Sequence, residues 1–235
     1  MSGAALTILA AGATEAVIRD VAGAFERNSG LEARLAYAPV GAIRERIFAG
    51  EPADLAIVTP AVIEELGARG LVRPDTAVPL GHVGGGIAVR RGAAHPAVET
   101  PEAFKAALLA AEEIYHADPR IGTAGATLLR VADGLGIGGE VRRKGRTAGG
   151  GKASMERMAL STAVALGVTQ ISEILAVKEV DLVGPYPGSL QSMTTYAGIL
   201  LESTLHPEAA RSFLAFLLSP PVRDRFVRGG FEPVP

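Results

Sequence analysis

The chain has 235 residues, 48% of them hydrophobic and 20% charged, with no Cys and no Trp. That composition excludes a disordered tail and a disulfide-stapled miniprotein, and it supplies a sizeable core for one or two domains. A net charge of -2 and 5% aromatic residues give no electrostatic footprint and few stacking platforms for nucleic acid.

No Lys or Arg precedes Arg19, so the uncharged start lacks the basic region of a signal peptide, although Ala11-Gly12-Ala13 loosely resembles a cleavage site. Leu6–Ala10 reads better as a buried strand. The chain as written is therefore expected to be cytoplasmic, or periplasmic if a leader was trimmed. After the turn at Gly12-Ala13-Thr14, Val17, Ile18, Val21, Ala24 and Phe25 recur at helical spacing up to the stop at Gly30. Leu31–Tyr37 predicts a strand, Pro39-Val40-Gly41 a loop, and Ala42–Ala49 a helix. Leu55–Val58 is an apolar strand, followed by Thr59-Pro60 as N-cap and first helical residue and by a helix to Arg69. Three strand-helix units in a row predict a parallel sheet covered by helices.

Val83–Arg90 is extended and Gly-rich, and the turn-forming run that follows places a domain boundary near residue 91. Thr100-Pro101 then opens a helix to about Ala111, Glu113–Ala117 is a short strand ending at His116 and Asp118, and Thr123 opens a helix reaching Leu135. Lys144–Thr147 reads as a strand, Ala153–Leu160 as a helix, Val164–Val168 as a strand and Thr169–Leu175 as a helix. The Pro- and Gly-rich Gly184–Gly188 looks like a return crossing before a final strand at Tyr196–Leu201 and two terminal helices. The uncharged Leu182–Leu201 stretch is broken by Pro185, Pro187 and Gly188, so no membrane span is expected.

Three glycine clusters lack the context their motifs need. Gly134-Leu135-Gly136-Ile137-Gly138-Gly139 follows a helix, whereas a dinucleotide fingerprint follows a strand. Gly149-Gly150-Gly151-Lys152 lacks the upstream glycine and the terminal hydroxyl of a phosphate loop, because Arg146 and Ala153 stand there. Gly84-Gly85-Gly86 predicts close backbone packing or a bend. The four His show no metal-ligand spacing, and the basic run at Arg142–Arg146 reads as a solvated face. No metal site and no nucleic-acid partner are expected.

The informative pattern is a set of small or hydroxyl residues at the carboxyl ends of predicted strands, each opening a helix: Gly12, Ala13, Thr14; Val40, Gly41; Thr59; Thr123, Ala124, Gly125; Thr169, Gln170. Ligands of open parallel sheets collect there, and helix N-termini offer free N–H groups with partial positive charge. A small anion is the expected ligand.

Leu6–Ala13, Ala53–Thr59, Gly167–Leu175 and Pro207–Leu217 together resemble the type 2 periplasmic-binding-protein fold, and within it the molybdate-binding-protein-like solute-binding family, which includes aconitate-isomerase-like members. The resemblance implies an α/β protein of two lobes, each a mainly parallel sheet flanked by helices: residues 1–90 with 190–235, and 91–189. It implies hinge closure over an oxyanion or organic carboxylate in a cleft between the lobes, no cofactor, a monomer, and an ABC-transporter permease as partner if the chain is exported. Molybdate binders of this kind use hydroxyls from the first two strand–helix loops, whereas Gly12-Ala13 and Pro39-Val40 fill most of that space here. An isomerase of a tricarboxylate would need cations and a base, for which Arg120, Arg44 and His116 are the candidates.

Overall fold

The structure, a computed structural model, describes residues 5–234. Residues 1–4, part of the stretch weighed as a leader, and residue 235 lie outside the described residues. In chain order the elements are β1 (Ala5–Ala11), α1 (Glu15–Ser29), β2 (Glu32–Ala38), α2 (Val40–Phe48), β3 (Leu55–Val58), α3 (Pro60–Gly67) and β4 (Val78–Val83). Then follow β5 (Gly85–Arg90), α4 (Pro101–Ala110), β6 (Glu113–His116), α5 (Thr123–Gly134), α6 (Gly138–Lys144), β7 (Gly145–Arg146), α7 (Gly151–Ala159), β8 (Ala165–Gln170), α8 (Ile171–Leu175) and β9 (Val180–Pro185). The chain ends with β10 (Thr194–Leu200), α9 (Pro207–Leu217) and α10 (Pro220–Arg228).

Two compact units result. The first takes the chain up to His82 and again from Thr195 on, and the second is Val83–Thr194. Both crossings differ from the expected positions at 91 and 190. The cause of the first difference is hydrogen bonding: β5, placed before the boundary by its glycine-rich sequence, pairs with β8 and β9 of the second unit.

The first unit holds a five-stranded sheet of order β2-β1-β3-β10-β4. β1 runs parallel to β2 and β3, while β10 lies antiparallel to β3. Leu55–Val58 is buried on both faces, as an apolar strand between helix layers should be. α1 buries Val17, Ile18, Val21 and Phe25 as expected from their spacing, with Ala22 buried in place of the expected Ala24, which is half-buried, and it stops at Gly30 in the left-handed conformation that glycine adopts without steric cost. Phe25 meets Phe213 of α9 edge to face at 5.1 Å, which fastens the C-terminal helix to the first.

The second unit repeats the scheme with order β7-β6-β8-β5-β9. β6, β7 and β8 are parallel, and β5 enters antiparallel. Alternation along β5 feeds both faces: Ile87 and Val89 join Phe104, Leu128 and Val141 on one side, and Ala88 joins Met155, Met158 and Ile174 on the other. The expected strand at 144–147 shrinks to two residues. Its first residue ends α6, a helix not foreseen in the basic run, where Val141 is buried and the Lys144 ammonium donates to the Leu109 carbonyl at 2.6 Å. No helix among the described residues is long and apolar enough to cross a membrane.

Candidate functional site

In the first unit the strand register sets Ala11 beside Ala38 and Ala10 beside Ile57, so Gly12, Ala13, Thr14 and Thr59, with Val40 and Gly41, which begin α2 and are not part of a loop as expected, gather at the carboxyl ends of these strands. α1, α2 and α3 all begin there, and none has a side-chain cap. Ala11 and Pro39 precede the first two helical turns, and neither side chain can accept a hydrogen bond. First-turn N–H groups have no intrahelical acceptor, so these loops present donors for which the flanking side chains supply no acceptor. Thr14 does not add to them, since it is fully buried and its hydroxyl donates to the Ala11 carbonyl at 2.8 Å. Thr59 is half-buried in extended backbone and leaves α3 uncapped. Arg44 lies along α2 with its guanidinium taken by Glu45 at 2.9 Å and Glu65 at 3.2 Å.

The second unit gathers its loops the same way, with His116 level with Val168 and Gly86 level with Thr169. Thr123 and Ala124 open α5 half-buried and without a side-chain cap. Gly125 is buried where a side chain would overlap the Ala117 carbonyl, so only glycine lets this first turn approach the end of β6. Asp118 closes the same loop. Its carboxylate accepts from Arg120 Nε at 3.0 Å, Nη2 at 2.6 Å and the Arg120 backbone N–H at 2.9 Å. Those bonds hold its pKa down at about 2. Arg120 is thus committed to a carboxylate, although its side chain remains 85% exposed.

His116 is buried, with Nδ1 at 2.7 Å from the Ala117 carbonyl, a contact that places the proton on Nδ1. Its Nε2 faces Gly145. Ser154 of α7 ties the region together, donating to the His116 carbonyl at 2.8 Å and accepting from the Ala148 N–H at 3.0 Å.

Two groups that the sequence did not single out organise this end of the second sheet. Glu173, buried on α8, accepts the Thr169 hydroxyl and the backbone N–H groups of Gln170, Gly151 and Lys152. Desolvation pushes its carboxyl above the usual range. Thr169 is fully buried and spends its proton on that carboxylate, while Gln170, also buried, stands at the N-cap of α8. Gln191 brackets Gly85, accepting its N–H at 2.8 Å and donating to its carbonyl at 3.0 Å. A signal for the first group lay in Gly149-Gly150-Gly151, which was set aside as a nucleotide motif but does open a helix beside Thr169. Among the described residues no group of His, Asp and Glu is arranged to hold a metal ion.

Within each unit taken by itself, the helix starts turn backbone N–H groups outward at the carboxyl ends of the strands, beside a half-buried threonine, Thr59 in the first unit and Thr123 in the second. Comparisons with known proteins agree on where such a chain belongs. A curated relative, an aconitate isomerase from Pseudomonas sp, is 33% identical over 98% of this chain and 88% of its own length. The periplasmic molybdate-binding protein of Azotobacter vinelandii superposes with a TM-score of 0.79 at 16% identity, covering 98% of this chain and 100% of that one. The sulfate-binding protein of Mycobacterium tuberculosis gives 0.79 at 19% identity, covering 98% and 87%. This chain shares the fold of those two solved structures. The sequence model for bacterial extracellular solute-binding proteins matches residues 6–232; the chain belongs to that family.

Proposed function

We propose that the chain is a receptor for a small anion, bound through the helix-opening loops at the carboxyl ends of its strands. The observation that carries this reading is the pair of helical segments opened after Ala11 and Pro39, N-cap residues whose side chains cannot accept the first-turn N–H groups. An oxyanion or carboxylate supplies the missing acceptors and is favoured by the positive ends of both helices. In the first unit Gly12, Ala13, Val40 and Gly41 are the backbone donors and Thr59 the hydroxyl; in the second unit, taken by itself, Ala124 and Gly125 are the backbone donors and Thr123 the hydroxyl. Thr14, Thr169 and Gln170 support these loops from inside. Such a receptor would work in the periplasm, the compartment of the molybdate-binding neighbour, and hand its ligand to an ABC-transporter permease.

A second reading, an isomerase shifting an allylic proton on a tricarboxylate, is favoured by the identity to the Pseudomonas enzyme over 98% of the chain. In it His116 is the base, with Arg44 or Arg120 meeting the carboxylates after exchanging their present partners. Thermal-shift titrations with molybdate, sulfate, and cis- and trans-aconitate test both, because a ligand of the native state raises Tm with concentration. A rise with one anion and not the others supports the receptor, and a flat response to all four overturns it. Solvent deuterium entering aconitate, and no longer entering it with His116→Ala, establishes the isomerase.

A further inference from the structure

The opposite end of the second sheet holds a cavity that anion binding leaves unused. Where β5 ends, α4 ends and residues 161–164 lead into β8, about 350 Å³ opens between Val89, Ala107, Ala111, Met158, Leu166 and Arg90. Ala165 and Leu166 at the start of β8 line it, whereas Thr169 and Gln170 lie at the strand's other end, roughly 15 Å away at the usual rise per residue. The two regions are therefore separate.

Small side chains make the space. Ala107 and Ala110 of α4 and Ala111 just after it line it, and no carboxylate does. A volume of this size sits in the range of ligand pockets, and roughly 150 Å³ already admits benzene. Arg90 is the one charged residue in the lining, and among the described residues its guanidinium has no ion pair or hydrogen bond, whereas Arg91 next to it reaches Asp181 at 3.5 Å. Two carboxylates outside the lining are bonded to residues within it: Glu112 accepts the Val164 N–H at 3.2 Å, and Glu113 accepts the hydroxyls of Tyr115 and Ser161 at 2.8 and 2.9 Å, so neither pairs with Arg90. A wall apolar apart from Ser161 and Thr162, with the exposed and unpaired Arg90 beside it, selects an apolar body carrying a single negative charge.

We propose that this cavity is a second ligand site, for a monocarboxylic acid with an apolar body of about eight carbons, such as a short fatty acid or an aromatic acid. Calorimetric titration of the whole chain with octanoate, and with 1-octanol as its uncharged counterpart, tests it. The expected result is one octanoate per chain, weakened about tenfold by Arg90→Met while 1-octanol binding is unchanged. Ala110 is exposed on α4, so Ala110→Phe fills the space without disturbing the core, and it is expected to abolish both. Ala163→Leu is the second filling variant if the first is poorly folded. Neither filling variant is expected to alter the thermal shift given by an anion at the helix-opening loops. No saturable octanoate binding, undiminished binding in both filled variants, or displacement of octanoate by molybdate, sulfate or aconitate would overturn the proposal.

Discussion

The carboxylate of Glu173 accepts the backbone N–H of Gly151, the first residue of α7. A side chain at Gly151 would overlap both that carboxylate and the Thr169 hydroxyl. Gly151→Ala is therefore expected to cost about 1–3 kcal/mol through overpacking, read as a lower midpoint in a urea titration. Gly139→Ala, in the same unit with open space around its Cβ, is expected to shift stability by less than about 0.5 kcal/mol. Equal losses in the two variants would show that the Glu173 contact does not constrain the loop.

Asp118 sets an acid limit on the second unit. Its pKa is lowered from 3.8 to about 2, chiefly by the Arg120 side chain. The folded state thus binds the proton more weakly than the unfolded chain, so the contribution is complete above about pH 4 and is lost as pH falls toward 2. Asp118→Asn is expected to flatten stability between those values in denaturant titrations, and high salt to reduce the effect, since the Arg120 side chain is exposed.

Donor geometry can be tested without touching a side-chain hydroxyl. Proline already stands at the start of α3, α4, α9 and α10, and Pro39 has the extended conformation that tolerates a following proline. Val40→Pro removes one backbone N–H from the first turn of α2 while keeping the helix. Anion affinity is expected to fall about tenfold or more, the worth of a charge-assisted hydrogen bond, with the unliganded Tm changed by only a few degrees. Unchanged affinity in isothermal titration would remove α2 from the site.

Asp54 joins distant parts of the first unit, accepting from the Thr7 N–H at 2.8 Å, the Thr204 hydroxyl at 2.8 Å and the His206 N–H at 3.2 Å. Burial opposes the charge, but these donors prevail and hold its pKa below the usual value. Asp54→Ala leaves several buried donors unpaired and is expected to destabilise by roughly 2–4 kcal/mol. Thr204→Val removes one of the carboxylate's donors, and the His206 N–H that the same hydroxyl accepts at 3.2 Å keeps its bond to Asp54; it is expected to cost about 1 kcal/mol, so similar losses would mean that the carboxylate does not act as a hub.

What the sequence disclosed follows from where its signals are local. The helix stop at Gly30 and the Thr59-Pro60 start are written in neighbouring residues and appear where they were expected, whereas α3 ends at Gly67 and only a turn carries the chain on to the left-handed Gly70. The glycine-rich run from 83 to 90 was ambiguous because β4 and β5, separated by Gly84 alone, hydrogen bond in different sheets. No neighbouring residue records that choice. Glu173 was hidden for the same reason: in sequence it is one acidic residue of a short helix, and its role depends on Gly151 arriving from another strand–helix unit. Thr14 and Thr169 stand where ligand hydroxyls were expected, yet burial and a nearer acceptor turn both inward.

The position of β10 between β3 and β4 dictates an order of assembly during synthesis. When the ribosome has made residues up to 83, the β4 segment has no sheet to join, because its hydrogen-bonding neighbour lies more than a hundred residues downstream. The second unit, one uninterrupted stretch of chain, emerges whole in that interval and can complete its core first. Until β10 arrives, β3 keeps an open apolar edge, and chains released early would expose it to one another as a template for aggregation.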